Sequence, residues 1–133
     1  MDNIDIISIE DDADFCFLMQ KAFYQIDKNL VVKFIENGPQ ALAALQSYAA
    51  RGAKLKLILL DLNLPGMSGL ETLLEIKGIK TVSEIPVIIF TTSEDARDQQ
   101  TAIQFGASDY VSKPLGYANL IAGLRKVHAD WFS

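Results

Sequence analysis

Short, almost wholly apolar runs alternate along this chain with longer stretches whose apolar residues recur every third or fourth position. Ile4 to Ile9, broken only by Asp5 and Ser8, is rich in β-branched residues and too short for a helix, so it predicts a buried strand. Phe15, Leu18, Met19, Ala22, Phe23 and Ile26 then follow helical spacing behind a cluster of acids suited to a helix N-terminus. Leu30 to Ile35 returns to strand character, Gly38-Pro39 punctuates it, and Ala41, Leu42, Leu45 and Tyr48 mark a second helix ending near Gly52.

The same alternation repeats. Leu57 to Leu60 is solidly aliphatic and ends at Asp61, and the Pro and Gly residues of LNLPGMSG make the next segment a loop. Leu70, Leu73, Leu74 and Ile76 predict a third helix. Pro86 opens the strand VIIF, followed by Thr91. Ser93, Glu94 and Asp95 resemble a helix cap ahead of Ala102, Ile103 and Phe105, and Gly106 closes that helix. Tyr110 and Val111 form a short fifth strand before Lys113-Pro114, and Leu115, Leu120, Ile121, Leu124, Val127 and Trp131 trace a last amphipathic helix. Strands that are apolar throughout and alternate with helices imply an α/β fold, a doubly wound five-stranded parallel sheet with helices on both faces.

Length fits that picture: 133 residues bury roughly two-thirds of their unfolded surface around one core, and residues 1–133 read as a single domain without repeat or linker. The net charge of −5 gives no general field for nucleic-acid phosphates. Cys16 is the only cysteine, so no internal disulfide and no cysteine-based zinc site can form, which fits a reducing cytoplasm. The opening MDNIDIISIEDD lacks the basic start and long apolar run of a secretory signal, and no later stretch is apolar enough to span a membrane.

In an open parallel sheet, ligands bind among the loops that leave the C-terminal strand ends. Glu10, Asp11 and Asp12 follow the first strand, Asp61 the third, Thr91 the fourth and Lys113 the fifth, so all lie at one edge. Taken singly each has a plain structural use, the acidic run in capping, for example, worth roughly 0.3–1 kcal/mol per charge. Together they point to chemistry. Crowded carboxylates repel unless a cation sits among them, and hard oxygen ligands select Mg²⁺ or Mn²⁺. Glu10, Asp11 and Asp61 against Lys113 leave a surplus of negative charge that one divalent ion cancels. A phosphoryl group at such a site can bridge to the metal, pair with Lys113 and accept a hydrogen bond from Thr91, with Asp61 as carboxylate nucleophile.

IISIEDD, LILLDLNLPGMSG, PVIIFTTS and DYVSKP, in this order on these elements, resemble a bacterial response-regulator receiver domain over essentially the whole chain. The resemblance implies a (βα)5 flavodoxin-like fold and a two-component signalling role, with a histidine kinase or phosphotransfer protein as donor. It implies Asp61 as phosphoacceptor, Glu10 and Asp11 as the Mg²⁺-binding pair, the backbone carbonyl of Asn63 as a further metal ligand, and Asp12 as a helix cap. Thr91 becomes the switch hydroxyl, Lys113 the phosphate-pairing lysine, and Tyr110 the aromatic that changes rotamer as Thr91 moves. Pro114 is expected after a cis bond. Asn63 and Ser93 occupy positions where the family tunes access of water to the acyl phosphate. Thr92 replaces the small Ala or Gly common there, and its methyl either narrows the entrance or is merely structural.

The resemblance also implies output by protein contact, since no helix-turn-helix or other output domain is attached, and no true enzymatic turnover beyond self-phosphorylation and its reversal. The TTS motif and the terminal KVHADWFS are similar to stand-alone regulators paired with cyanobacterial phytochrome kinases. Trp131 and Phe132 serve either as a homodimer contact or as cover for the domain's own core. His128 is expected to be a solvated helix residue rather than a relay group, and Cys16 to pack in the first helix. A phosphorylation-independent binding scaffold would lack Asp61, the acidic pair or Lys113. A haloacid-dehalogenase-like phosphatase would carry Asp at position 63, where this chain has Asn63.

Overall fold

The computed structural model describes residues 3–132. In chain order it comprises β1 (Asn3–Ile9), α1 (Ala13–Ile26), β2 (Val32–Ile35), α2 (Gly38–Ala50), β3 (Lys54–Leu60), α3 (Gly69–Gly78), β4 (Val87–Thr91), α4 (Ala96–Gln104), β5 (Asp109–Ser112) and α5 (Tyr117–Phe132). All strand pairs are parallel, in the order β2-β1-β3-β4-β5. The chain order reverses beside β1, which places the crevice of a doubly wound sheet over the ends of β1 and β3.

Strand alternation divides the core into two layers. Ile7, Ile9, Ile58, Leu60, Val87 and Ile89 face Ala41 and Leu45 of α2, Leu73 and Ile76 of α3, and Ala102 of α4. The intervening Ile6, Leu57, Leu59, Ile88 and Phe90 face Met19, Ala22 and Phe23 of α1 and Leu120, Leu124 and Val127 of α5. Both faces are therefore buried, which is why the inner stretches of the central strands, Leu57 to Leu60 and Val87 to Phe90, are apolar at every position. No helix among the described residues is long and apolar enough to cross a membrane.

Several local expectations change. Gly38-Pro39 does not merely punctuate β2; Asn37 caps α2 by accepting from the Gln40 N–H, and Pro39 sits in the first turn, where its missing donor costs nothing. Leu115 lies before α5 and is 88% exposed, so it does not belong to that helix's apolar stripe. Ile103 and Leu74 also point outward, although their spacing suggested core positions. The expected cis bond before Pro114 is not found: no peptide among the described residues is cis. Trans is the favoured isomer of an X-Pro bond by about 0.5–1 kcal/mol, and with it the Lys113 N–H still donates to the Thr91 carbonyl at 2.8 Å.

Candidate functional site

Strand register assembles the polar edge. Ile9 lies opposite Leu60, and the Asp61 N–H donates to the Ile9 carbonyl, so Glu10 and Asp61 emerge side by side. Thr91 is opposite Ser112, which brings Lys113 one step beyond the switch hydroxyl. Asp12, two residues beyond Glu10, caps α1 by accepting from the Asp14 and Phe15 N–H groups.

Asp61 is buried, and three donors converge on it. Oδ1 accepts from the Thr91 hydroxyl at 2.8 Å and from the Asn63 N–H at 3.0 Å, while Oδ2 accepts from Lys113 Nζ at 2.9 Å. Lys113 also pairs with Glu10 Oε1, whose second oxygen accepts from the Asp12 N–H at 3.1 Å. The Lys113 ammonium lies 4.5 Å from the centre of the Phe15 ring, where the π face adds to its hold. Among the described residues no buried side-chain oxygen or nitrogen lacks a partner.

Burial pushes the Asp61 carboxyl up, but the Asn63 N–H, Lys113 and Thr91 together outweigh it and hold the group below the usual carboxylate range. Glu10 goes the other way, because its burial and the Asp61 charge exceed what Lys113 and the Asp12 N–H return. Burial likewise opposes the Lys113 ammonium, yet its bonds to Glu10 and Asp61 keep it charged to higher pH than an ordinary lysine. At neutral pH the edge thus holds an ionised Asp61 beside a fixed cation.

Glu10, Asp11 and Asp61 each present a carboxylate oxygen within 4.8 Å of the others, Asp11 exposed and its two neighbours buried. An all-oxygen set open to water on one side fits a divalent cation that keeps part of its hydration shell. Tyr110, half-buried and the second residue of β5, donates its hydroxyl to the Ser93 carbonyl at 2.8 Å. Ser93 donates its own hydroxyl to Asp98 at 2.8 Å, so the loop after β4 is tied to both α4 and β5. His128 is at the other end of the sheet, 3.6 Å from Asp27 and stacked on Phe132. Cys16 packs against the same acidic edge, its Sγ 3.7 Å from the Glu10 carbonyl.

Sequence reasoning missed two contributors. Phe15 carries no local mark beyond its place in the α1 stripe, and its position under Lys113 depends on the packing of α1 on the sheet, where its ring meets Phe90 of β4 at 6.0 Å. The side chain of Asn63, considered only for its backbone carbonyl and its position, reaches Thr92 Oγ1 at 3.2 Å and Thr91 Oγ1 at 3.5 Å.

A five-stranded parallel sheet with acids after β1, an Asp after β3, a hydroxyl ending β4 and a lysine after β5 defines a phosphoryl-signalling module. The response regulator receiver domain family matches residues 6–125, and the chain belongs to that family. It is a receiver domain of the two-component type, a regulatory module rather than a true enzyme, of the kind that works with histidine kinases and downstream effectors. It is 36% identical over 120 residues to the uncharacterized transcriptional regulatory protein YkoG of Bacillus subtilis (strain 168), covering 90% of this chain and 49% of that protein. The chain thus spans about half of that relative's length. The phosphorylated cyanobacterial phytochrome response regulator RcpA superposes with a TM-score of 0.90 at 29% identity, over 99% of this chain and 96% of that one. The Mn²⁺-bound form of response regulator Rcp1 superposes with a TM-score of 0.83 at 28% identity, over 95% and 92%. With the family established, the haloacid-dehalogenase-like reading has no support.

Proposed function

We propose that Asp61 is the phosphoacceptor of this receiver and that Glu10, Asp11, Asp61 and the backbone carbonyl of Asn63 hold Mg²⁺, with Mn²⁺ as a substitute. The observation that carries the reading is the buried, ionised Asp61 carboxylate beside Lys113, with the Thr91 hydroxyl and two further carboxylates around it. That RcpA has been seen phosphorylated and Rcp1 with Mn²⁺ supports the same use of this edge.

In the transfer step an Asp61 oxygen bonds to phosphorus as the bond from phosphorus to the donor breaks, and the electron pair leaves with the donor. Bound Mg²⁺ would supply positive charge to the phosphoryl oxygens. Lys113 is held within reach of Asp61 and needs no reorganisation to neutralise the transferred group. Thr91 already gives its hydrogen to Asp61 Oδ1, and a phosphoryl group there offers it a more negative acceptor. Moving Thr91 disturbs Ser93, whose N–H reaches the Thr91 oxygen at 3.3 Å, and through the Ser93 carbonyl it disturbs Tyr110. Phosphorylation, worth about −1.5 to −2 charges, would thereby bias the face formed by α4, β5 and α5 between two arrangements.

The donor is a histidine kinase or phosphotransfer protein of the cytoplasm, and the exposed Phe17 and Leu115 beside this edge give it apolar contact. Output goes to a protein target rather than to DNA, consistent with the net charge of −5. Residues 1–133 act as one receiver unit. Phe132 packs on the α1–α5 core layer, so Trp131, 36% exposed, is the aromatic left for a second copy. The test is incubation with Mg²⁺ and acetyl phosphate. Wild type should gain one acid-labile phosphoryl group by intact mass and Asp61→Asn none; equal labelling of the two would refute the assignment.

A further inference from the structure

The Lys113 ammonium has three hydrogens to place. Glu10 Oε1 and Asp61 Oδ2 accept two of them, and no other side chain or carbonyl among the described residues accepts from it. On its remaining side stands the Phe15 ring, whose centre is 4.5 Å from Nζ. Phe15 is itself held at both ends. It is the third residue of α1, and its N–H donates to the capping Asp12 Oδ1 at 3.2 Å. Its ring packs at 6.0 Å on that of Phe90, which is buried and precedes Thr91 in β4. The ring is therefore fixed between the start of α1 and the end of β4, against a lysine side chain only 11% exposed. A π face attracts a cation more strongly where water is kept away.

We propose that Phe15 is a positioning residue for phosphoryl transfer, its π face holding the Lys113 ammonium at the acceptor while the Asp61 carboxylate gives up its charge. The inference rests on the acceptor role proposed for Asp61. In the transfer an Asp61 oxygen bonds to phosphorus, the bond from phosphorus to the donor breaks, and the donor leaves with the electron pair. Asp61 thereby loses the charge that held Lys113. Two contacts outlast the change, Glu10 and Phe15, and the hydrogen released by Asp61 is the one free to turn to a phosphoryl oxygen. In the resting state two carboxylates already fix the ammonium, so the ring adds little to its placement. The ring matters most in the transition state, where one of those carboxylates is losing its charge, and an interaction that counts more there than before reaction raises the rate. With an aliphatic residue at position 15 the ammonium would keep Glu10 alone and turn its other hydrogens to water.

The whole chain is labelled with acetyl phosphate below saturation in the presence of Mg²⁺, and the initial rate is followed by intact mass. Phe15→Leu is expected to label about fivefold more slowly, on the scale of one partly buried cation–π contact, and Phe15→Tyr at the wild-type rate. Leucine also alters the packing on Phe90, so the deciding series replaces Phe15 by phenylalanines carrying one, two and three ring fluorines. These keep the ring and withdraw charge from its face step by step. The rate should fall with each fluorine. In the Lys113→Met background the same series should show no trend, because the ring then faces no cation. A wild-type rate retained with three fluorines, whatever Phe15→Leu does, or a trend that survives without the lysine, would overturn this inference and leave the acceptor assignment standing. A wild type that takes up no phosphoryl group overturns both.

Discussion

Replacing Lys113 with Met keeps an unbranched side chain over Phe15 and removes the cation between Glu10 and Asp61. The lysine side chain is 11% exposed and those of its partners 4% and 5%, so two carboxylates are left facing each other with little water. Removing one member of a buried ion pair costs about 3–5 kcal/mol, and the lower value suits an edge that opens to solvent at Asp11. With an unfolding entropy of about 2.1 cal/mol/K per residue over 133 residues, a loss of about 3 kcal/mol lowers Tm by about 10 °C. The pH dependence has a definite sign. Asp61, held below its ordinary value, contributes stability that is full above the usual carboxylate pKa and fades as pH falls through its lowered one. Lys113, held above its ordinary value, contributes everywhere below the usual lysine pKa, and Glu10, pushed up, carries a penalty that is full above its raised value and is relieved as pH falls below it. The deficit of Lys113→Met should therefore be largest near neutral pH and shrink below the usual carboxylate range, where protonated carboxyls no longer need an ammonium. Mg²⁺ should raise the Tm of the variant more than that of wild type, since the ion replaces the missing charge. Thermal unfolding followed by circular dichroism at both pH values, with and without Mg²⁺, measures all of this. A deficit that is the same in acid and at neutrality, and indifferent to Mg²⁺, would refute the electrostatic account.

Gly69→Ala should destabilise the fold by about 2 kcal/mol, within the range for overpacking, and weaken Mg²⁺ binding. The new Cβ would stand 2.3 Å from the Asp61 carbonyl oxygen and 2.4 Å from Leu62 Cα, both backbone atoms that no rotamer can move. Urea titration should show Gly78→Ala, where nothing lies within 4 Å, close to wild type; equal behaviour of the two variants would contradict the steric argument. Burial and the nearby Glu10 and Asp12 charges push the Cys16 thiol up to about 11. Iodoacetamide near pH 8 should then label native protein far more slowly than urea-unfolded protein, and similar rates would show the thiolate to be accessible.

The order of elements and the edge that gathers Glu10, Asp61, Thr91 and Lys113 were readable because apolar strands of a two-faced sheet leave little ambiguity about where they end. An Asp directly after LILL has nowhere to go but the rim. What escaped the sequence depends on contacts between distant segments. The Asn63 fork joins residues 28 and 29 positions apart, and no local pattern marks it. Leu115 looked like the first member of the α5 stripe because spacing cannot tell a helix's first apolar residue from one stranded in the loop before it. Gly38-Pro39 looked like a stop and is a start, since the same pair suits either a turn or a capped first helical turn, and Asn37 decides between them.

The close approach of Gly69 to the Asp61 carbonyl also makes residues 61–69 a closed loop, fastened where the Gly69 N–H meets the Leu62 carbonyl at 3.0 Å. Main chain resting on main chain leaves no rotamer to adjust. Anyone transplanting the acidic pocket onto another sheet would have to move this segment whole, because copying its carboxylates without the glycine that lets helix and loop nest would reproduce the charges and lose their aim.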